Sequence, residues 1–252
     1  MQASTQHFPA QQTARANDPR QRLIVALDVS TAAAAHKIVA AVGDAASAYK
    51  VGMQLYTAEG PQVVRDLVAS GRRVFLDLKY HDIPNTVAAA VREAAQLGVM
   101  MLNVHAAGGE RMMKAAVEAG ASSSVKPIVL AVTVLTSMAQ DDLSGTGVPG
   151  PVASQVSRLA ALALKCGCGG VVASAQEAAQ LRSELGKDFV IVTPGVRPAG
   201  ADKGDQRRVV TPAEAIAAGA DYFVVGRPIT EAADPGGIAR AILQDVATEL
   251  AT

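Results

Sequence analysis

The sequence has few aromatic residues and no excess of either charge. It contains no Trp, four Tyr and four Phe, and its 23 Lys and Arg residues balance 23 Asp and Glu residues. With few aromatic side chains on which bases could stack and no excess of basic residues, a general nucleic-acid or membrane-surface protein is not expected. A local pocket that binds one small anion remains compatible with this composition. We therefore expect a small-molecule partner, and neither nucleic acid nor membrane.

Cysteines and long apolar runs are scarce as well. The two cysteines, Cys166 and Cys168, are two positions apart, and two thiols alone do not complete a zinc site. We expect both to be reduced thiols in a cytosolic protein. No uncharged stretch of about 18 apolar residues occurs, so no membrane span is expected. Residues 1–20 are polar and lack the apolar segment of a secretory signal, and we interpret them as a disordered tail.

From residue 21 onward, short apolar runs alternate with Ala-rich stretches of helix length. The runs predict eight strands: Leu23–Leu27, Ala48–Gly52, Val74–Lys79, Met100–Val104, Pro127–Val132, Gly170–Ala173, Phe189–Val192 and Tyr222–Val225. Strands that are apolar throughout and are joined by helices indicate a parallel sheet covered by helices. The number of units favours a closed (β/α)8 barrel, the TIM barrel, over an open sheet, and residues 21–252 are assigned to this single α/β domain.

Capping and turn residues predict where several helices begin and end. Ser30 or Thr31 is placed to cap the first helix. After the second strand a single helix is predicted through about Ser70, closed by Gly71. Pro84 is placed to start the helix after the third strand, since proline is favoured in the first helical turn.

Charged side chains stand at the ends of the first three predicted strands. Asp28 follows the first strand, Lys50 belongs to the second, and Asp77 and Lys79 belong to the third. Because side chains alternate along a strand, Asp77 and Lys79 are predicted to face the barrel mouth together, with the leucines beside them facing the helices. Catalytic residues of such barrels lie at this end of the strands. A structural ion-pair cluster that plugs the barrel is the open alternative.

Two glycine-containing loops predict a phosphate site. The loop after the seventh strand, residues 193–208, is long and polar and carries Arg197 and Gln206, while Gly226–Pro228 follows the eighth strand. Loops in these two positions are the usual phosphate site of the barrel fold, where backbone N–H groups and a guanidinium hold the anion. Considered alone, Gly226–Pro228 is equally compatible with a plain turn.

The most specific motif is Asp-x-Lys-x-x-Asp within Phe75–Thr86. Supporting stretches are Val25–Asp28, Tyr49–Gly52, Thr193–Arg197, Gly204–Arg207 and Val225–Pro228. On these residues the chain resembles the orotidine 5′-phosphate decarboxylase family from about Leu23 to Asp245. The resemblance implies the barrel fold and the conversion of orotidine 5′-phosphate to UMP, the last step of UMP synthesis. It also implies a homodimer that uses neither a metal nor an organic cofactor, while the expected cytoplasmic location rests on the two cysteines.

The resemblance implies catalytic roles for four residues. Lys50, Asp77, Lys79 and Asp82 correspond to the family's alternating charged tetrad, with Asp82 reaching into the site of the neighbouring subunit. Lys79 corresponds to the proton donor to C6 of the pyrimidine.

Further residues are implied to bind the substrate. Asp28 and Lys50 correspond to contacts of the ribose hydroxyls, and Thr136, after the fifth strand, to a pyrimidine contact. The remaining expected binding residues are Ile83 and Thr86 beside the motif, and the phosphate ligands Arg197, Gln206, Gly226 and Arg227.

Two alternatives to this function stay open. A barrel relative such as 3-keto-L-gulonate 6-phosphate decarboxylase shares the Asp-x-Lys-x-x-Asp pattern but resembles a Mg²⁺ enzyme, with an acidic ligand where this chain has Lys50. A non-catalytic nucleotide-binding protein could also retain the fold. Inside the motif, His81 is interpreted as structural rather than as an acid–base residue, because Pro84 indicates that the strand has ended. The role of His105 stays open.

Overall fold

Eight parallel strands close into a barrel in the order in which they occur along the chain. The computed structural model describes residues 18–198 and 210–251. The strands are β1 Leu23–Ala26, β2 Ala48–Gly52, β3 Arg73–Tyr80, β4 Met101–His105, β5 Ile128–Val132, β6 Gly170–Val172, β7 Val190–Thr193 and β8 Tyr222–Val225. Leu23 of β1 pairs with Phe223 of β8, which closes the barrel. The predicted (β/α)8 barrel is confirmed.

At least one helix follows each strand and packs on the outside of the barrel. The helices are α1 Ala32–Val42, α2 Met53–Glu59, α3 Gln62–Ala69, α4 Pro84–Gln96, α5 Gly109–Ala121, α6 Gln140–Gly145, α7 Val152–Lys165, α8 Ala175–Leu185, α9 Pro212–Ala217, α10 Arg227–Thr230 and α11 Pro235–Leu250. No helix among these residues is long and apolar enough to cross a membrane.

The predicted helix starts are confirmed, but one predicted helix is two. Thr31 caps α1, its side-chain oxygen accepting a hydrogen bond from the Ala34 backbone N–H at 3.2 Å, and Pro84 begins α4. The single helix predicted up to Ser70 is wrong, because the chain is interrupted between α2 and α3. Gly60 ends α2 with φ of 68°. Pro61 follows it and has no backbone N–H to continue the helix.

Alternating side chains of the strands divide the apolar residues into two cores. The barrel interior holds Ile24, Ala26, Ala48, Phe75, Met101, Ile128, Leu130, Val132, Val172, Val190, Val192 and Val224. A larger core fills the layer between the strands and the helices and includes Leu76, with Leu78 packed against it. The prediction that these two leucines face the helices is confirmed. Positions 75, 77 and 79 accordingly face the interior.

Several predictions concern the chain start and the cysteines. Of the predicted tail, residues 1–17 lie outside the described residues, while Asp18 caps a short 3-10 helix at Pro19–Gln21 through the Arg20 backbone N–H at 3.0 Å. Cys166 and Cys168 are buried free thiols at the end of α7. Burial raises the pKa of the Cys168 thiol to about 12, so this thiol is protonated at neutral pH.

Candidate active site

A cavity of about 540 Å³ opens at the carboxyl ends of the strands. Its floor is apolar and consists of Ala26, Phe75, Val132, Val172, Val192 and Val224. Its polar wall and rim consist of Asp28, Lys50, Gln54, Asp77, Lys79, Thr136, Ser137, Arg197, Arg227 and Glu231. An apolar cavity of this size with a few convergent polar groups is typical of a small-molecule site.

Four charged side chains of alternating sign form a row along one wall of the cavity. The Lys50 Nζ lies 2.8 Å from Asp28 Oδ1 and 3.3 Å from Asp77 Oδ2. The Lys79 Nζ lies 2.6 Å from Asp77 Oδ1. The Asp28 side chain is 53% exposed, whereas those of Lys50 and Asp77 are 11% exposed. The Lys79 side chain is 24% exposed, so the two central members of the row are buried and its two ends, Asp28 and Lys79, are more accessible.

Lys50 and Asp77, the two buried members of this row of charges, keep each other ionised. Burial lowers the pKa of Lys50, but the carboxylates of Asp77 and Asp28 outweigh burial, and the pKa stands above its ordinary value. Burial raises the pKa of Asp77, but Lys50 and Lys79 outweigh it, and the pKa stands below its ordinary value. Lys50 and Asp77 are therefore charged at neutral pH, which fixes the electrostatic field at this wall.

The strand that carries Asp77 and Lys79 is irregular. Leu76 pairs with Leu102 and Tyr80 pairs with Val104, so three residues of β3 lie opposite Asn103 alone. Lys79 has a positive φ of 52°. The predicted shared direction of Asp77 and Lys79 is confirmed by their contact, but simple two-residue alternation does not describe this segment.

Asn103 is a site residue that the sequence reasoning missed. Its side chain is fully buried, accepts a hydrogen bond from the Lys79 backbone N–H at 2.8 Å and donates one to Asp77 Oδ1 at 2.7 Å. The available signal was an amide in the otherwise apolar predicted strand Met100–Val104.

Gly52 was missed as well. A Cβ at this position would lie 2.9 Å from Lys50 Nζ and 3.1 Å from Asp28 Oδ1. Both contacts are tighter than a Cβ usually makes, so a side chain here would require the Lys50 ammonium and the Asp28 carboxylate to shift. Glycine at the end of β2 therefore leaves room for the ion pair.

Three predicted site residues do not reach the cavity of their own chain. Asp82, Ile83 and Thr86 are exposed, and Ile83 is 66% exposed. The Asp82 carboxylate accepts a hydrogen bond from the Ile83 backbone N–H at 2.6 Å. Because β3 ends at Tyr80, Asp82 and Ile83 lie between β3 and α4, and Thr86 lies in the first turn of α4.

The structure places the described members of the predicted phosphate site around one side of the cavity. Arg197, Gly226 and Arg227 line it, and so does Thr136 from the loop after β5. The Arg197 side chain is 7% exposed, and its backbone N–H donates to the Val210 carbonyl at 3.0 Å. Gln206 lies outside the described residues.

His81 and His105 lie next to each other and do not line the cavity. Their ring centroids are 5.5 Å apart, with the ring planes tilted by 38°. Burial, together with the neighbouring His81 and Lys79, holds the pKa of His105 below its ordinary value. His105 is therefore neutral at pH 7.

Among residues 18–198 and 210–251, no group of three or more His, Cys, Asp or Glu side chains is placed to hold a metal ion. The two acidic residues of the cavity wall, Asp28 and Asp77, instead flank the ammonium of Lys50. The donor set is thus that of an ion-pair network.

Comparisons with known proteins point in one direction. The sequence profile of the orotidine 5′-phosphate decarboxylase / HUMPS family matches residues 21–242. The orotidine 5′-phosphate decarboxylase of Vibrio campbellii is 52% identical over 229 residues, which are 90% of this chain and 98% of that protein. The protein of the same name from Sodalis glossinidius is 54% identical over 89% of each chain. The crystal structure of orotidine 5′-phosphate decarboxylase from Lactobacillus acidophilus superposes with a TM-score of 0.80 and 40% identity, covering 90% of this chain and 99% of that one.

Proposed function

The chain belongs to the orotidine 5′-phosphate decarboxylase / HUMPS family, and we propose that it converts orotidine 5′-phosphate to UMP through a C6 carbanion that Lys79 stabilises and then protonates. The chain is a decarboxylase, a carbon–carbon lyase of pyrimidine biosynthesis, because relatives of that name match it over nearly their whole length. The mechanism is inferred from the site.

One observation carries the mechanism: an ammonium and a carboxylate stand 2.6 Å apart at the wall of a cavity with an apolar floor. Loss of CO₂ from C6 leaves a carbanion in the plane of the pyrimidine ring, and no adjacent carbonyl or iminium group can delocalise it. Since no cofactor takes part in the proposed reaction, side chains must stabilise this charge. The Lys79 ammonium would do so electrostatically and then deliver its proton to C6.

In this proposal Asp77 orients Lys79. Its carboxylate binds the ammoniums of both Lys79 and Lys50, and it would lie against the departing carboxylate of the substrate. Repulsion between two carboxylates has limited strength, roughly 4 kcal/mol at about 4 Å and an effective dielectric near 20. Enzymatic accelerations require about 8–23 kcal/mol. Stabilisation of the carbanion therefore contributes more than strain in the bound substrate.

Other residues of the cavity lining would bind the rest of the nucleotide. Arg197 and Arg227 present guanidinium groups suited to bidentate phosphate binding, and Gln206 is proposed to join them. Asp28, Lys50 and Thr136 also line the cavity. In this proposal Asp28 and Lys50 would contact the ribose hydroxyls, and Thr136 would contact the pyrimidine.

We further propose a homodimer in which Asp82 completes the site of the partner subunit. The exposed position of Asp82, outside the cavity of its own chain, supports this arrangement. The same reasoning assigns the exposed Ile83 and Thr86 to the partner's substrate. A cytoplasmic location belongs to the proposal, since a biosynthetic role and two reduced thiols suit that compartment.

A magnesium-dependent sugar-phosphate decarboxylase is disfavoured by Lys50. The acidic metal ligand that such an enzyme needs at this position is replaced by a cation whose ammonium contacts Asp28 and Asp77. Activity toward orotidine 5′-phosphate that is unchanged by a chelator agrees with the proposal, whereas activity abolished by the chelator would favour the magnesium enzyme.

Substitution of Lys79 tests the mechanism. Lys79→Ala removes both the electrostatic stabilisation and the proton donor, so turnover should fall by at least about 1,000-fold. Decarboxylation is followed by the loss of substrate absorbance, and binding of UMP by calorimetry should survive. Lys37→Ala, at an exposed position of α1, is the matched control and should leave the rate unchanged. A Lys79→Ala variant that released CO₂ at a comparable rate would refute the mechanism.

A further inference from the structure

β4 carries an uncharged polar side chain in the barrel interior, directly beside the charged wall of the cavity. Asn103 has no exposed surface, and its neighbours on β4, Leu102 and Val104, are apolar and buried. A buried amide is costly unless its hydrogen-bonding groups are satisfied. The partners of Asn103 therefore explain why an amide occupies this position.

The first partner is a backbone group that the sheet itself leaves unpaired. Between the pairs Leu76–Leu102 and Tyr80–Val104, β3 has three residues where β4 has one. The regular ladder is interrupted there, and the Lys79 backbone N–H donates to Asn103 Oδ1 at 2.8 Å instead. The side chain of Asn103 thus replaces a backbone acceptor at the irregular segment.

The second partner is the carboxylate that orients Lys79. Asn103 Nδ2 donates to Asp77 Oδ1 at 2.7 Å, and the same oxygen accepts from Lys79 Nζ at 2.6 Å. One amide therefore holds both ends of the Asp77–Lys79 segment, the carboxylate at one end and the backbone of the lysine at the other.

The backbone of Lys79 needs such support. Its φ of 52° lies in the left-handed region, which side-chain-bearing residues rarely adopt unless the surroundings hold them there. This conformation directs the Lys79 side chain into the cavity, back toward Asp77. A relaxed backbone at residue 79 would move the ammonium.

We infer that Asn103 is a positioning residue for the reaction: it holds Lys79 in its left-handed conformation and fixes the Asp77 carboxylate, so that the ammonium of Lys79 is aimed at C6 of the substrate. This inference rests on the proposed function. Asn103 does not line the cavity and acts through Asp77 and Lys79. Its loss should therefore reduce kcat more than it raises KM.

Asn103→Asp is the most informative substitution because it preserves the shape of the side chain. The ionised carboxylate still accepts from the Lys79 N–H, but it cannot donate to Asp77 and repels it. We expect kcat to fall by about 100-fold, the scale of a small misplacement of a catalytic group, with KM little changed. Protonation of the introduced carboxyl group would restore the donor, so the kcat of the variant relative to wild type should rise as the pH is lowered, by up to about tenfold per pH unit.

The charged groups around this position are few. Asp77 and Lys79 face it from β3, and Lys50 on β2 lies behind Asp77. His105 follows on β4 itself, and β5, the other neighbouring strand, carries no titratable side chain. Dividing by the wild-type rate at each pH removes the titration of these shared groups.

Asn103→Ser is the matched control, since a serine hydroxyl does not titrate in this range. Its kcat should fall with KM little changed, and its rate relative to wild type should not recover at low pH.

Decarboxylation of orotidine 5′-phosphate by the wild type is measured first, and its absence would refute the proposed function rather than the role of Asn103. With an active wild type, the inference is overturned if Asn103→Asp lowers only the melting temperature, if its relative rate is independent of pH, or if Asn103→Ser recovers equally. If Asn103→Asp does not fold, Asn103→Ser decides by its kcat and KM, and a change confined to KM overturns the inference.

Discussion

The Lys50–Asp77 pair is poorly explained by stability alone. Both side chains are only 11% exposed, and removing charged groups from water costs several kcal/mol per ion, about as much as their attraction returns. Replacement of a buried ion pair by apolar residues of similar volume often leaves stability unchanged or increases it. A structural plug was the open alternative for this cluster, and its position on the wall of a cavity favours the functional interpretation.

The depressed pKa of His105 makes a prediction about stability and pH. The ordinary value is 6.5, and burial with His81 and Lys79 lowers it in the folded protein. As the pH falls below the ordinary value, the unfolded chain takes up a proton that the folded chain resists. The contribution of His105 to stability is therefore present above that value and lost as the pH falls through the folded pKa.

His105→Gln should weaken this dependence. Between about pH 7.5 and about pH 5 the melting temperature of the variant should fall less than that of the wild type, since glutamine does not titrate. His36→Gln, on the exposed face of α1, is the control and should follow the wild type. Equal slopes for His105→Gln and the wild type in differential scanning calorimetry would contradict the assignment.

At the scale of the elements, β6 approaches β7 closely at Gly170. A Cβ on Gly170 would overlap the Val190 carbonyl oxygen and lie 2.8 Å from the Val190 Cβ. Gly170 pairs with Val190 in the register of β6 and β7. The approach of these two strands therefore depends on the absence of a side chain at position 170.

Gly170→Ala should destabilise the barrel by about 1–3 kcal/mol, the usual cost of overpacking. Gly145→Ala is the matched control, because Gly145 lies in α6 with nothing within 4 Å of an added Cβ, and it should be neutral or stabilise by up to about 1 kcal/mol. Denaturant unfolding followed by circular dichroism measures both changes. A Gly170→Ala variant as stable as the control would show that the two strands can separate at little cost.

The strands were predictable because each is a short apolar run bounded by polar or helix-forming residues. β2 and β8 match the predicted Ala48–Gly52 and Tyr222–Val225 residue for residue. The end of β3 was harder to predict. It extends to Tyr80 through an irregular pairing with β4. That pairing depends on Asn103, more than twenty positions away in the chain.

The same difference between local and distant information applies to the site. Asp28, Lys50, Asp77 and Lys79 follow apolar runs, so strand ends and alternation were enough to bring them together. Asn103 could not be found in this way, since its importance comes from contacts with another strand and with an irregular backbone.

At the scale of the whole molecule, closure of the barrel brings residues from both ends of the chain into one cavity. β1 pairs with β8, and a Cβ on Gly226 would lie 3.9 Å from Asp28 Oδ2. The proposed ribose and phosphate contacts are therefore neighbours although almost the whole barrel separates them in sequence. The ribose and phosphate contacts were both predicted from the sequence, and their proximity follows from the closed strand order.

The proposed homodimer predicts that two inactive variants restore activity to each other. In a hybrid of Lys79→Ala and Asp82→Asn subunits, one site carries both changes, and the other combines an intact Lys79 with an intact Asp82 from its partner. After random exchange of equal amounts, half of the dimers are hybrids, so about one quarter of the wild-type activity should return. Each variant alone should be inactive.

The control mixture is Lys79→Ala with Lys50→Ala. Because both residues belong to the cavity of one chain, every hybrid site keeps a defect and no activity should return. No recovery with Asp82→Asn, in a mixture shown to contain hybrids, would mean that Asp82 does not act across the interface.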